Sequence, residues 1–239
     1  MIYITGDLHG GYDSGKLFKV KYKPDDIIIV CGDFGYVWYS DTDAKDWEKR
    51  KLDRLIKKLG CTLLFVDGNH ECFDRLEKYR VSKKYGGKVQ KITENCYHLM
   101  RGERYDINGF KFLCIGGAES HDAQYRIYGE SIWLQESITK EQIEKAISNC
   151  KDVDFIISHC APSDFLLKMY LNGDTDFAYS ETQSPLMLQK LLDAVKKQEK
   201  SWKWFMGHYH TDLNYAPSNC GPFYVMYRKI YCVETGEIV

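Results

Sequence analysis

At 239 residues, with 44% hydrophobic and 28% charged side chains, the chain is long enough to bury a substantial core and has the composition of a globular protein. A formal net charge of −1 gives no general electrostatic drive toward nucleic acid or an anionic membrane, although a local basic patch is compatible with it. Nine cysteines, odd in number, widely scattered and without a Cys-x-x-Cys pair, argue against a secreted disulfide framework and against a thiolate zinc ribbon.

The opening Met-Ile-Tyr-Ile-Thr-Gly-Asp has no basic stretch followed by a long apolar segment, and the longest apolar runs are too short to span a bilayer. The expectation is a cytoplasmic protein with reduced cysteines and no membrane partner. Ile2 to Thr5, Ile27 to Cys31 and Leu63 to Val66 read as buried strands, being short, β-branched and bounded by Gly or Asp. Between the last two, Asp43 to Leu59 places Leu52, Leu55, Ile56 and Leu59 at helical spacing. This alternation implies βαβ units and a largely parallel inner sheet.

Tyr97 to Ile115 reads as antiparallel, with a turn at Asn108-Gly109. A helix starts near Thr139, where Thr139 and Gln142 make a capping box and Ile138 and Ile143 a hydrophobic staple. A strand is expected over Val153 to Ile157. Ser184-Pro185 opens a helix carrying Leu188, Leu191, Leu192 and Val195 on one face. Short strands follow at Trp204 to Met206, Leu213 to Ala216, Phe223 to Met226 and Lys229 to Val233. With no repeat or clear linker, residues 1–239 are expected to form a single domain. Its least regular stretches, near 118–136 and 162–184, each follow a strand and would form a rim or lid over a site.

Five short motifs stand at or just beyond the carboxyl ends of predicted strands. They are Gly6-Asp7-Leu8-His9-Gly10, Gly32-Asp33, Gly68-Asn69-His70-Glu71, Ser158-His159 and Gly207-His208-Tyr209-His210. In open α/β sheets that edge is where ligands bind. Carboxylate, amide oxygen and imidazole suit Mn, Fe, Zn or Ni better than Ca, and the absence of thiolates argues against a closed structural zinc site. Taken singly the motifs are weak. Asp-x-His is common, Gly-Asp often marks only a turn, and His208 and His210 could alternate across a strand. Jointly they are not, since five of the seven histidines fall within them.

In this order the five blocks resemble the signature of the calcineurin-like metallophosphoesterase superfamily, and they extend from Asp7 to His210. The resemblance implies an α/β fold, a four-layer α/β/β/α sandwich of two mixed sheets flanked by helices. It also implies a dinuclear site, the first metal held by Asp7, His9, Asp33 and His210 and the second by Asp33, Asn69, His159 and His208. The implied reaction is hydrolysis of a phosphomonoester or phosphodiester by metal-activated hydroxide. Two cations about 3.5–4 Å apart lower the pKa of a bridging water and neutralise the phosphoryl oxygens. His70 resembles the family's catalytic histidine, which stabilises the transition state or protonates the leaving oxygen; supporting the metal ligands would be its alternative role.

Gly116 to Glu136, with Ser120, Asp122, Arg126, Trp133 and Glu136, is similar to the same stretch in small bacterial and phage-borne members. There His121 is a candidate substrate contact and Arg126 a candidate phosphate clamp. Phe34, Tyr36, Trp38 and Tyr39 could stack a base or leaving group, or simply pack. His98, in a strand-like run, reads as structural.

The opening motif also resembles serine/threonine protein phosphatases and diadenosine tetraphosphate hydrolases. Those families continue into an Asp-Arg pair, whereas here the sequence runs Gly32-Asp33-Phe34-Gly35-Tyr36-Val37-Trp38. The missing arginine disfavours the protein-phosphatase reading, and a general phosphomonoesterase or phosphodiesterase is preferred, with a protein phosphatase or dinucleoside polyphosphate hydrolase as the alternative. A non-catalytic scaffold on the same fold is disfavoured because no ligand position, nor His70, has been lost. A nuclease would need a basic groove, but Lys83, Lys84, Lys88, Lys91, Arg101 and Arg104 are scattered, so nucleic acid enters only as a conceivable substrate.

Overall fold

The computed structural model describes residues 1–40, 42–175, 182–217 and 221–239. Strands β1 (Ile2–Thr5), β2 (Ile27–Cys31) and β3 (Thr62–Val66) are almost entirely buried, as expected of uninterrupted apolar runs covered on both faces. They run parallel, and β6 (Cys96–Leu99) continues the parallel array beside β3. The hairpin β4 (Val81–Lys84) and β5 (Gly87–Thr93) extends that edge, while β13 (Tyr231–Cys232) lies antiparallel to β1 at the other. The strand order is β13-β1-β2-β3-β6-β5-β4.

A second sheet contains β7 (Glu103–Ile107), β8 (Phe110–Ile115), β9 (Phe155–Ser158), β10 (Lys203–Met206), β11 (Leu213–Tyr215) and β12 (Phe223–Val225). Its order is β11-β12-β10-β9-β8-β7, with β8, β9, β10 and β12 parallel and an antiparallel strand at each edge. Both sheets are therefore mixed.

Ile2, Ile4, Ile29 and Leu64 of the first sheet pack on Phe112, Cys114, Ile157 and Phe205 of the second, forming a central core. On the outer side of the first sheet, α1 (Thr42–Leu59) lays Leu52, Leu55, Ile56 and Leu59 against Ile28, Val30 and Leu63. On the outer side of the second lie α3 (Lys140–Asn149), α4 (Ser163–Asn172) and α5 (Gln183–Val195), burying Ile143, Leu166, Met169, Leu188 and Leu191. A one-turn helix, α2 (Phe73–Leu76), follows β3. The result is helix, sheet, sheet, helix, the four-layer arrangement expected. The Thr139–Gln142 capping box is formed in both directions, at 3.3 and 3.0 Å, and both staple residues are buried.

Three features differ from the sequence reading. The antiparallel stretch expected over Tyr97 to Ile115 is divided between sheets, with β6 in the first and the β7–β8 hairpin in the second. The β4–β5 hairpin leaves little trace in the sequence because its edge strand is polar and exposed, and only Val89 and Ile92 signal a buried face. Its turn, Tyr85-Gly86, has the same paired positive φ angles (54° and 84°) as Asn108-Gly109 (51° and 85°). Lys83, Lys88 and Lys91 point to solvent from this hairpin, as charges on an exposed edge commonly do. Arg101 instead is buried against Asp67.

The third difference lies in the segment expected to be irregular over 162–184. Residues Ser163–Asn172 form α4, since Phe165, Leu166 and Met169 make an apolar stripe buried against α5 and the second sheet. The rest of that expectation falls partly on 176–181, outside the described residues. The 118–136 stretch holds short 3₁₀ turns, at Ala123–Tyr125 and Leu134–Glu136, and one isolated bridge between Tyr128 and Ile132.

Candidate active site

Parallel strands direct their carboxyl ends to one edge, and there the polar motifs meet. Asp7 follows β1, Asp33 follows β2, Asn69 follows β3, His159 follows β9 and His208 follows β10. Asp33 is at the centre. Its Oδ1 lies 3.0 Å from His159 Nε2 and accepts from the backbone N–H of Asn69 and of His70, both at 3.0 Å. Its Oδ2 lies 3.2 Å from His9 Nε2. Asp7 accepts from the His208 backbone N–H at 3.1 Å.

Two overlapping groups of donors could each hold a cation. Asp7, His9, Asp33 and His210 offer ligand atoms all within 4.8 Å of one another, and so do Asp33, His159 and His208. Asn69 Oδ1 joins the second group, 3.2 Å from His159 Nε2. Asp33 is common to both. The backbone is adapted to this crowding. A Cβ on Gly68 would stand 2.2 Å from Asp33 Oδ1, and one on Gly32 would stand 2.2 Å from His159 Nδ1. His9, Asp33, His208 and His210 all adopt positive φ (43°, 45°, 70° and 49°), a region that costs non-glycine residues on the order of 1 kcal/mol or more each. Such strain persists where surrounding structure enforces it, and here it aims donors at one point.

The electrostatics fit a cation. Burial opposes charge on His9 and His159, but the Asp33 carboxylate outweighs it and lifts them to about 9 and about 10. Asp33 is itself held well below the usual carboxylate range, since His159 and His70 outweigh its burial. Burial, reinforced by His159 and His121, keeps His208 neutral, with its pKa pushed well down. Burial raises Asp7, with His159 acting against it. Protonated imidazoles thus balance carboxylate charge that a cation bound here would neutralise in their place. Three oxygen donors and four imidazoles suit divalent transition metals.

The surrounding contacts fix the donors. His9 Nδ1 meets Asp13 Oδ2 at 2.7 Å and His159 Nδ1 meets the Cys31 carbonyl at 2.8 Å, each leaving Nε2 directed at the centre. Glu71, its pKa pushed to about 8 by burial and by Asp33, accepts from the N–H of Phe34 at 2.7 Å and of Gly68 at 2.6 Å, tying two of the loops together. Asn69 Nδ2 donates to Ser120 Oγ at 3.3 Å, and Ser120 Oγ donates to Glu136 Oε2 at 2.6 Å. That chain turns the amide oxygen of Asn69 toward His159. Asp13 carried no sequence signal beyond its spacing of four from His9. Ser120 and Glu136 were visible only as parts of the wider resemblance.

His70 stands beside the centre, Nε2 4.0 Å from Asp33 Oδ2, with the rings of His9 and Trp38 at 5.1 and 5.3 Å. Arg126 reaches in from the 118–136 stretch, its Nη2 3.0 Å from His70 Nε2, its Nη1 donating to the Asn69 carbonyl and its Nε to Asp122. His121 Nε2 lies 2.8 Å from His208 Nε2, with the two rings stacked. Asp33, Asn69, His70, His121, Arg126, His208 and His210 line one cavity of about 220 Å³. His98 is away from it, bridging Asp67 and Gln90 in the first sheet. Of the aromatic cluster, Phe34 and Tyr36 are buried in the core, whereas Trp38 and Tyr39 line a neighbouring cavity.

A family model for calcineurin-like phosphoesterases matches residues 1–212. No curated protein matches the chain. No helix among the described residues is long and apolar enough to cross a membrane.

Proposed function

The chain belongs to the calcineurin-like phosphoesterase family of metal-dependent hydrolases, and we propose that it hydrolyses a phosphomonoester or phosphodiester at a dinuclear centre on this rim. The observation that carries the reading is the pair of donor groups sharing Asp33, with His70 and Arg126 on the same cavity wall. One cation would be held by Asp7, His9, Asp33 and His210, the other by Asp33, Asn69, His159 and His208. Mn, Fe, Zn or Ni suit this set. The cations, when bound, supply Lewis acidity for a water nucleophile and neutralise charge on the phosphoryl oxygens.

The chain's own groups supply the rest. Arg126 already carries a planar guanidinium into the cavity, and a phosphoryl oxygen arriving there would draw Nη2 from His70 into a charge-assisted hydrogen bond. His70, beside Asp33 yet not among the donor groups, is freed at Nε2 when Arg126 turns to the phosphate; after taking up a proton there from solvent, it would stabilise the leaving oxygen or protonate it. As the new oxygen–phosphorus bond forms, the ester bond breaks and the alcohol departs. His121, stacked on His208, holds that imidazole in place and bounds the phosphate space.

The eight cysteines among the described residues are buried and unpaired, which supports a reducing, cytoplasmic setting. The test is hydrolysis of p-nitrophenyl phosphate and of its bis-ester by metal-loaded protein, compared with His70→Asn. Wild-type turnover that the substitution lowers by about 10²–10⁴-fold, with metal content retained, supports the reading. No turnover of either ester by metal-loaded wild type contradicts it.

A further inference from the structure

Beside the phosphate cavity lies a larger one, of about 550 Å³, that the hydrolytic reading leaves without a role. His70 and His210 line both cavities, so an ester held at the donor centre has a path past His70 into the second space. That path is the side on which the leaving alcohol would depart if His70 serves the leaving oxygen. The walls of the second space are aromatic, formed by Trp38, Tyr39 and Trp47 with Lys51 at its edge.

Trp47 is the informative residue. It lies on α1, whose apolar face is complete with Leu52, Leu55, Ile56 and Leu59, yet it takes no part in that core and is 49% exposed. A tryptophan left beside a cavity presents a large flat surface to whatever enters. Lys51 Nζ lies 4.8 Å from the centre of the Trp47 ring, positioned by it. Of the two carboxylates on the wall, Asp13 is engaged by His9 Nδ1 at 2.7 Å, and Glu48 is turned away. Its carboxylate accepts from the N–H of Trp38 and pairs with Arg75, so it fixes the wall.

Building on the hydrolytic reading, we infer that this cavity is the leaving-group subsite and that it selects phosphoesters of nucleosides. A base is planar and stacks on aromatic rings whatever its identity. Every base carries ring nitrogens or carbonyl oxygens that accept hydrogen bonds, and an ammonium has three donors and no acceptor. The volume is in the range of pockets that enclose a small organic ligand. An aliphatic leaving group would gain little from these rings.

The decisive experiment uses the leaving group itself, so that it does not depend on turnover. Adenosine is titrated into the full chain, metal-free and Mn-loaded, with tryptophan fluorescence as the readout and glycerol as the comparison. Saturable quenching by adenosine but not glycerol is expected in both forms. Trp47→Ala should weaken it roughly 5- to 150-fold, the span that stacking one base on a side chain covers. Lys51→Met should weaken it less. Both positions are outside the core, so the variants should fold, and unchanged far-ultraviolet circular dichroism would verify this. No saturable quenching, or quenching that Trp47→Ala leaves unchanged, overturns the inference. Loss of all esterase activity with adenosine binding intact would fault the hydrolytic reading and leave the subsite standing.

Discussion

The guanidinium of Arg126 meets the imidazole of His70 at 3.0 Å, Nη2 to Nε2, although the two belong to segments 56 residues apart. The contact brings the 118–136 stretch onto the mouth of the site and leaves that arginine half committed. Asp122, Ser131 and the Asn69 carbonyl hold its other nitrogens, while the end facing the cavity rests on a neutral acceptor that a phosphate would outcompete.

Arg126→Ala should therefore lower kcat/KM by roughly 10- to 150-fold, corresponding to about 1.5–3 kcal/mol for a hydrogen bond to a charged group. Arg126→Lys should recover only part of this, because an ammonium cannot hold Asp122 and a phosphoryl oxygen in one planar fork. Steady-state kinetics on p-nitrophenyl phosphate would check it. Full recovery by lysine would show that charge alone suffices.

Asp33→Asn should cost the protein both cations, since its two oxygens face different donor groups. Elemental analysis after dialysis against Mn should find far less than the wild-type content. His210→Ala should deplete only one of the two, because His210 belongs to a single group. Equal losses in the two variants would argue against a shared carboxylate.

Ser120→Ala breaks the relay from Glu136 to Asn69 without touching a donor. The amide is then free to turn, and affinity for the second cation should fall about 10–100-fold, the usual effect of losing a group that orients a ligand. Calorimetric titration of Mn should show one weakened step and one preserved. If both steps are preserved, Ser120 is only a packing residue.

The cysteine arrangement gives a test free of metal. Burial pushes the Cys31, Cys96, Cys114 and Cys160 thiols well up, and all eight described cysteines are buried. A thiol reagent at neutral pH should react slowly with these in the native protein and rapidly in urea. Cys220 lies outside the described residues. Rapid native modification at Cys31 or Cys114 would contradict the central core, to which both contribute.

The inner strands and the donor residues were legible from sequence because one physical cause produced both signals. A strand buried on two faces must be continuously apolar, and the first polar residue after it falls on the ligand-binding edge. Thus Ile27–Cys31 announced Asp33, and Ile2–Thr5 announced Asp7. The β4–β5 hairpin is not legible because Val81, Ser82, Lys83 and Lys84 have no buried face to impose alternation. Helix α4 is faint in the sequence because its apolar stripe is short and it opens on Pro162, a residue equally at home in a loop. The supporting contacts were illegible for a different reason. Asp13, Ser120 and Glu136 act through side-chain hydrogen bonds that depend on three-dimensional approach, and common polar residues in loops carry no periodic signal.

The most direct measurement follows phosphate-ester hydrolysis while Mn is added stepwise to chelator-treated protein. The account predicts negligible turnover without metal and a rise that reaches its plateau as the second equivalent binds. Full activity in excess chelator, or a plateau at one equivalent with the second site filled later and without effect, would contradict it.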